Sequence, residues 1–291
     1  MTIFDAIILG LVEGITEYLP VSSTGHLILA TWLLGLRENE ARLASIDAFN
    51  IIIQGGAILA VLLLYRARVV QMLRGMIGKN CAGLHLFGKL CVAFLPAAIL
   101  GKLFDDAIEE KLFHPAPVLI MLGGGGVLLL LLGKWMRSLV AREENESADF
   151  MQLSYLAAFG IGVFQCVAMV PGTSRSLMAI LGGLVFGLSP RRSAEFSFLL
   201  GLPTLGAACL YKLWKASDAA GGFVPFADSI GGIAPMLIGI AVATLSAILA
   251  VRWLVSLLSK GGLEIFGVWR IAVALVLGVL LFSGHAQLTL E

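Results

Sequence analysis

Apolar residues fill most of this chain in long runs, and polar residues break the runs in a regular order. A helix that crosses a bilayer needs about 20 largely apolar residues, so each long unbroken run is a candidate span. Six runs are predicted to be transmembrane helices: Phe49 to Tyr65, Leu90 to Leu103, Pro117 to Leu132, Ala194 to Tyr211, Ile233 to Val251 and Ile265 to Phe282.

Two other apolar stretches are interrupted before they reach the length of a span. In the first, Glu13, Glu17 and Pro20 break the run that starts at Ile3. In the second, the hexapeptide at 171–176, Pro-Gly-Thr-Ser-Arg-Ser, separates two apolar segments. Irregular backbone at membrane depth needs protein around it, so each stretch is predicted to form a re-entrant helix-loop-helix hairpin.

The order of these elements predicts an internal repeat in a single membrane domain, 1–291. Each half has one broken hairpin and three spans, with repeat 1 at about 1–145 and repeat 2 at about 150–291. Pro20 corresponds to Pro171 at a separation of 151 residues, and Phe49 to Phe196 at 147. An odd number of spans inverts the second half, so the two hairpins are expected to meet near the midplane.

The composition agrees with this all-α, polytopic membrane class. Apolar residues make up 59% of the chain, charged residues 13%, and the mean hydropathy is +0.96. A net charge of +1 without a long basic run argues against nucleic acid as a partner. The four cysteines lack CxxC spacing, which argues against a thiolate metal site.

Basic residues are distributed unequally between the two predicted sides of the membrane. One set of predicted loops carries twelve lysines and arginines, in the stretches Arg66 to Lys89, Lys134 to Arg142, Arg191 to Arg192 and Arg252 to Lys260. The other set carries six, and includes a polar loop at Arg37 to Asp47 and a Gly- and Ala-rich loop that ends near Gly232. The positive-inside rule makes the richer set cytoplasmic. The termini and an acidic loop predicted at Asp105 to Glu110 would then lie outside.

The first predicted hairpin holds most of the residues that could take part in a reaction. Glu13 and Glu17 are four residues apart, on one face of a helix, where two like charges repel unless a divalent cation neutralises them. After Pro20, three hydroxyl residues can cap the next helix, whose N-terminus favours an anion. These residues are Ser22, Ser23 and Thr24. The pattern predicts a metal-assisted phosphate site.

The second hairpin supplies a cation. Arg175 follows a Pro-Gly turn and is flanked by the hydroxyls of Thr173, Ser174 and Ser176. A guanidinium among hydroxyls and helix N-terminal amides suits a phosphate group. His26, beside the first hairpin, is expected to reach that phosphate as nucleophile or general base.

These two motifs, EGITEYLPVSSTGH from Glu13 to His26 and PGTSRS from Pro171 to Ser176, resemble the undecaprenyl-diphosphate phosphatase family of the bacitracin-resistance type. The resemblance implies a multi-pass enzyme of the bacterial inner membrane, with its active site open to the outer face. Such an enzyme hydrolyses undecaprenyl diphosphate to undecaprenyl phosphate and inorganic phosphate, which recycles the lipid carrier of cell-wall synthesis and confers bacitracin resistance.

The resemblance also implies roles for individual residues. Glu13 and Glu17 would form an acidic pair linked to a divalent cation, Mg²⁺ or Ca²⁺, while Ser23 and His26 are candidates for the chemistry and Arg175 for the phosphate clamp. Residues 177–179 are Leu-Met-Ala where the family commonly has Gly-Ala-Thr, so one hydroxyl contact is lost.

Three questions stay open on the sequence. The nucleophile is His26, Ser23 or water. Inverted repeats with broken helices are also a transporter design, so a flippase of a polyprenyl phosphate lipid is the alternative function. The oligomeric state is undetermined, and a homo-oligomer is one of the options.

Overall fold

A computed structural model describes residues 1–36, 40–112, 114–143 and 150–283 of the chain. Within these ranges the regular structure is entirely helical, which confirms the all-α class. The helices of the first half are α1 Ile3–Thr16, α2 Ser23–Leu33, α3 Glu40–Leu64, α4 Arg66–Met76, α5 Cys81–Leu112 and α6 Pro115–Glu143. Those of the second half are α7 Tyr155–Cys166, α8 Arg175–Val185, α9 Pro190–Ala219, α10 Phe223–Ser229, α11 Ile233–Leu258 and α12 Glu264–Phe282.

Six helices in the described part are long and apolar enough to cross a membrane, as the sequence predicted. They are α3, α5, α6, α9, α11 and α12, and their apolar windows contain at most two charged residues each. The chain is therefore a polytopic membrane protein.

The prediction of an acidic loop at Asp105 to Glu110 was wrong. These residues continue α5, which runs unbroken from Cys81 to Leu112 and passes through Pro96. The segment contains no glycine or proline that would end a helix, and its alanine, isoleucine and glutamates tolerate the helical backbone.

Other predicted loops also contain helices. The basic segment after the first span forms α4, and Lys134 and Arg137 lie within α6. The Gly- and Ala-rich connection before Gly232 contains α10. Of the polar loop predicted at 37–47, residues from Glu40 belong to α3, and residues 37–39 lie outside the described ranges.

Four short helices occupy the predicted hairpins. α1 and α2 pack on each other, as do α7 and α8, and their lengths of 14, 11, 12 and 11 residues fall below that of a span. Each half has the same order: a short pair, a long helix, a short helix and two long helices. Re-entry into the membrane and the inverted repeat stay predictions.

Small residues hold each hairpin against a span of the opposite half. A side chain at Gly14 of α1 would collide with the backbone of Ala243 in α11, and one at Gly162 of α7 with the backbone of Ala93 in α5. Close backbone contact of this kind is typical of helix packing in membranes. It fixes the two hairpins relative to the spans.

Candidate active site

The two hairpins meet at an ion pair between residues 158 positions apart. Arg175, the first residue of α8, places Nη2 at 3.4 Å from Oε1 of Glu17, which follows α1. Its Nη1 donates to the carbonyl of Ser197 at 3.1 Å, and its guanidinium lies 5.3 Å from the ring centre of Tyr18. Nε of Arg175 has no hydrogen-bond partner among the described residues. The guanidinium is thus held in place but retains donor capacity for a ligand.

A polar cavity of about 150 Å³ surrounds this ion pair. Both hairpins line it, together with α3 and α9. The predicted site residues in its wall are Glu17, Ser22, Ser23, Thr24, Ser174 and Arg175. A cavity of this size and polarity suits a phosphate-sized group.

Two serines in the left-handed backbone region begin the second helix of each hairpin. Ser22 has φ 70° and precedes α2, and Ser174 has φ 78° and precedes α8. A non-glycine residue in this region is strained, and such strain concentrates at functional sites. The two serines are 152 positions apart, so the pairing of Pro20 with Pro171 at 151 is out of register by one. Counted from the proline to the serine, the second turn is one residue longer than the first.

Ser23 contacts the acidic member of the ion pair directly. Its Oγ donates to Oε2 of Glu17 at 2.8 Å. Glu17 therefore receives Arg175 on one oxygen and a serine hydroxyl on the other. A hydroxyl bound to a carboxylate is the arrangement in which a general base can take the proton of a nucleophile.

Glu13 lies deeper than Glu17, with 1% of its surface exposed, and neither of its carboxylate oxygens has a hydrogen-bond partner among the described residues. Burial raises the pKa of Glu13, and the neighbouring carboxylate of Glu17 raises it further. Both effects disfavour the ionised form of Glu13. A cation beside the carboxylates of Glu13 and Glu17 would offset them, so the two residues favour binding of a cation.

The two glutamates fit the implied divalent ion. Within the described ranges no group of three or more His, Cys, Asp and Glu residues converges, so a cage made only of protein ligands is not present there. Mg²⁺ usually binds through one or two carboxylates, waters and substrate phosphates. An unpartnered Glu13 beside Glu17 provides that donor set.

His26 does not line the polar cavity. Its Nδ1 is 2.8 Å from the carbonyl of Ser22, and its Nε2 is 2.7 Å from Nε1 of Trp269. Because the indole N–H can only donate, Nε2 accepts and the proton resides on Nδ1, which donates to Ser22. His26 and Trp269 instead line an apolar groove of about 850 Å³.

Two other predicted phosphate ligands, Thr173 and Ser176, do not line the cavity. Ser176 is fully buried and donates to the carbonyl of Leu19 at 2.9 Å, which ties the second hairpin to the first. Thr173 is 2% exposed, and its hydroxyl has no hydrogen-bond partner in the described ranges.

Sequence reasoning missed one polar side chain of the cavity wall. Gln54 of α3 lines the cavity, and Sγ of Cys209 donates to its Oε1 at 3.1 Å. With that oxygen occupied, the amide NH₂ of Gln54 is free to donate to an anion. A polar amide within an apolar span, which Gln54 shares with Asn50 four residues earlier, was the signal that could have identified it.

Comparison of the chain with known proteins identifies its family. A family model described as "Bacitracin resistance protein BacA" matches residues 6–276. A protein of Nitrosomonas europaea named "Undecaprenyl-diphosphatase" is 41% identical over 284 residues, 98% of this chain and 96% of that protein. A protein of the same name from Sorangium cellulosum is 42% identical over 278 residues, 94% of this chain and 85% of that protein. In Flavobacterium psychrophilum the identity is 40%, and the alignment covers 98% of both chains. The chain belongs to the BacA family of bacitracin resistance proteins.

Proposed function

We propose that this protein is an undecaprenyl-diphosphatase, which cleaves undecaprenyl diphosphate into undecaprenyl phosphate and inorganic phosphate. The observation that carries the proposal is the Glu17–Arg175 pair, with Ser23 bound to Glu17 in one polar cavity. The names of the relatives supply the substrate, and the apolar surroundings of the site suit a lipid.

Arg175 is the proposed clamp for the terminal phosphate. Its 3.4 Å separation from Glu17 is long for a charge-assisted hydrogen bond, so an incoming phosphate competes well for the guanidinium. The amide of Gln54 and the backbone N–H groups at the start of α2 and α8 would add donors. Together they stabilise the charge on the transferring phosphoryl group, which dominates catalysis of this reaction class.

Ser23 is the proposed nucleophile. Its proton passes to Oε2 of Glu17, Oγ bonds to the terminal phosphorus, and the bond from phosphorus to the bridging oxygen breaks to release undecaprenyl phosphate. Glu17 then gives this proton to the bridging oxygen of the departing undecaprenyl phosphate. Water attacks the phosphoserine, Glu17 takes a proton from that water, and the same proton passes to the Ser23 oxygen as its bond to phosphorus breaks and inorganic phosphate is released. His26 is less suited to the attack because both ring nitrogens are paired outside the cavity.

Glu13 and Glu17 are the proposed holders of a divalent cation, Mg²⁺ or Ca²⁺. Such an ion would polarise phosphoryl oxygens and neutralise charge on the leaving phosphate. The cation would in turn favour the ionised form of the buried Glu13 carboxylate.

The bacterial inner membrane, with the site open to the outer face, is the proposed location. Its support is the similarity to the bacterial BacA family, while the twelve-to-six division of basic residues supports only the assignment of the richer set of loops to the cytoplasm.

Phosphate release decides between hydrolysis and the transporter alternative. Purified protein in detergent, given a polyprenyl diphosphate and Mg²⁺, is expected to release inorganic phosphate, and Ser23→Ala is expected to abolish the release. Ser138→Ala removes an exposed hydroxyl bonded to the carbonyl of Trp135 and serves as the matched control. Absence of phosphate release in detergent, together with movement of the intact lipid across the bilayer of vesicles that contain the protein, would favour transport.

A further inference from the structure

One arginine in the last span is fully buried and hydrogen-bonds only to backbone carbonyls. Arg270 of α12 has 0% of its surface exposed, and no carboxylate pairs with it among the described residues. Its guanidinium makes five hydrogen bonds of 2.8–3.1 Å, to the carbonyls of Pro20, Met121, Leu122, Gly172 and Thr173.

These carbonyls belong to both hairpin turns and to α6. Nη1 donates to Pro20 in the first turn and to Thr173 in the second, each at 3.1 Å, so a single nitrogen joins the two turns. Pro20 is three residues after Glu17, and Thr173 is two residues before Arg175. The planar guanidinium has a fixed shape, so it sets the distance between the turn beside Glu17 and the turn beside Arg175.

The run of four glycines in α6, Gly123 to Gly126, leaves room for this guanidinium because one of them has no side chain where the guanidinium lies. A Cβ at Gly125 would lie 2.7 Å from Cζ of Arg270 and closer still to Nη2. A Cβ at Gly124, the preceding residue, would meet no atom within 4 Å. The obstructed atoms are the end of a side chain, so a methyl at Gly125 would displace the guanidinium rather than the helix.

We propose that Arg270 is a positioning residue for hydrolysis, and that Gly125 is the gap that admits its guanidinium between the hairpin turns. Arg270 does not itself line the polar cavity, and its one hydrogen bond to a residue of the lining is to the backbone carbonyl of Gly172. It acts through the backbone of the two turns, and thereby sets the alignment of Glu17 and Ser23 with Arg175. This inference rests on the proposed function, because its first readout is phosphate release.

Gly125→Ala and Gly124→Ala form a matched pair that tests the proposal without removing Arg270. Both changes add one methyl in the middle of a helix, where alanine has a better helix propensity than glycine. We expect Gly124→Ala to keep the wild-type kcat and KM. We expect Gly125→Ala to lower kcat at least about 10-fold, with KM within about 2-fold, because misalignment by a fraction of an ångström affects the transition state most.

Two more variants separate positioning from general stability. Arg270→Lys keeps the charge but cannot reach carbonyls on three elements from one ammonium, so it is expected to reproduce the loss of kcat. Arg137→Gln breaks the ion pair with Glu264 that also joins α6 to α12, and is expected to leave kcat unchanged. Thermal unfolding in detergent is measured for all four proteins.

Wild-type kcat in Gly125→Ala, or equal losses in Gly124→Ala and Arg137→Gln, would overturn the proposal. Should Gly125→Ala not yield folded protein, the kinetics of Arg270→Lys decide in its place. If the wild type releases no phosphate, the proposed function fails, and stabilisation by inorganic pyrophosphate becomes the readout. A rise in Tm of the wild type and Gly124→Ala that is absent in Gly125→Ala would support the positioning role, while no rise in any protein would end it.

Discussion

Ser23 donates its hydroxyl proton to Glu17 at 2.8 Å, and this bond joins the start of α2 to the end of α1 across the turn of the first hairpin. Glu17 meets Arg175 with its other oxygen. One carboxylate therefore connects the candidate nucleophile with the candidate phosphate clamp.

Glu17→Gln is expected to lower kcat by about 10²–10⁴-fold, the usual contribution of a general base. The amide keeps the size of the side chain but cannot take the proton of Ser23. Phosphate release from a polyprenyl diphosphate measures the effect, and Glu264→Gln, in an ion pair at the start of α12, is the control. A kcat within about 3-fold of the wild type would exclude Glu17 as the base.

Arg175→Lys is expected to lower kcat/KM by about 10²–10³-fold, because lysine keeps the charge but loses the two-pronged contact with phosphate. Arg252→Lys, on the exposed surface of α11, should behave like the wild type. Steady-state kinetics over a range of substrate concentrations make the comparison. Equal activity of the two variants would count against a bidentate clamp.

Glu13→Gln is expected to raise the Mg²⁺ concentration needed for half-maximal activity by about 10-fold or more, because one carboxylate ligand is lost from a site with few protein donors. Titration of Mg²⁺ after removal of metal with a chelator measures the shift. An unchanged Mg²⁺ dependence would show that Glu13 does not hold the ion.

His26 is expected to affect activity through the backbone of Ser22 rather than by direct attack. His26→Ala removes the donor to that carbonyl and should lower kcat about 10-fold, whereas His26→Asn retains an N–H donor and should keep more activity. If His26→Asn and His26→Ala are equally inactive while their Tm matches the wild type, a direct chemical role for the imidazole is the better explanation.

The same histidine predicts a pH dependence of stability. Burial lowers the pKa of His26 below its ordinary value of 6.5, so the unfolded chain binds the proton more tightly than the folded chain. The contribution of neutral His26 is complete above pH 6.5 and is lost as the pH falls through the lower folded-state pKa. Tm should decrease on acidification in this range, and His26→Asn should decrease less. Parallel Tm curves for the two proteins would contradict this assignment.

The sequence predicted the six spans and the meeting of Glu17 with Arg175, because charges are costly in apolar sequence and stand out there. It could not predict the orientation of His26, which depends on Trp269 at a distance of 243 residues along the chain. The role proposed for Arg270 was equally hidden. Its partners are backbone carbonyls, and every residue has one, so no pattern of side chains in the sequence could indicate these contacts.

Errors in the loops have a common cause. α4 and the end of α5 carry charged residues on helices, and a polar stretch between apolar runs resembles a loop when only hydropathy is considered. The one-residue difference between the two turns was also invisible, since proline alignment suggested equal lengths. Backbone conformation at Ser22 and Ser174 supplies the correct register.

The opposite charges carried by the two hairpins have a consequence for how such a protein can be assembled. The first hairpin brings acids and the second brings the guanidinium, so two copies of the first half would confront carboxylates with carboxylates. A dimer of the first half alone would lack the guanidinium that faces the carboxylate in this chain. The presence of both hairpins in one polypeptide keeps them in a fixed ratio and makes opposite charges available on the two sides of a single ligand.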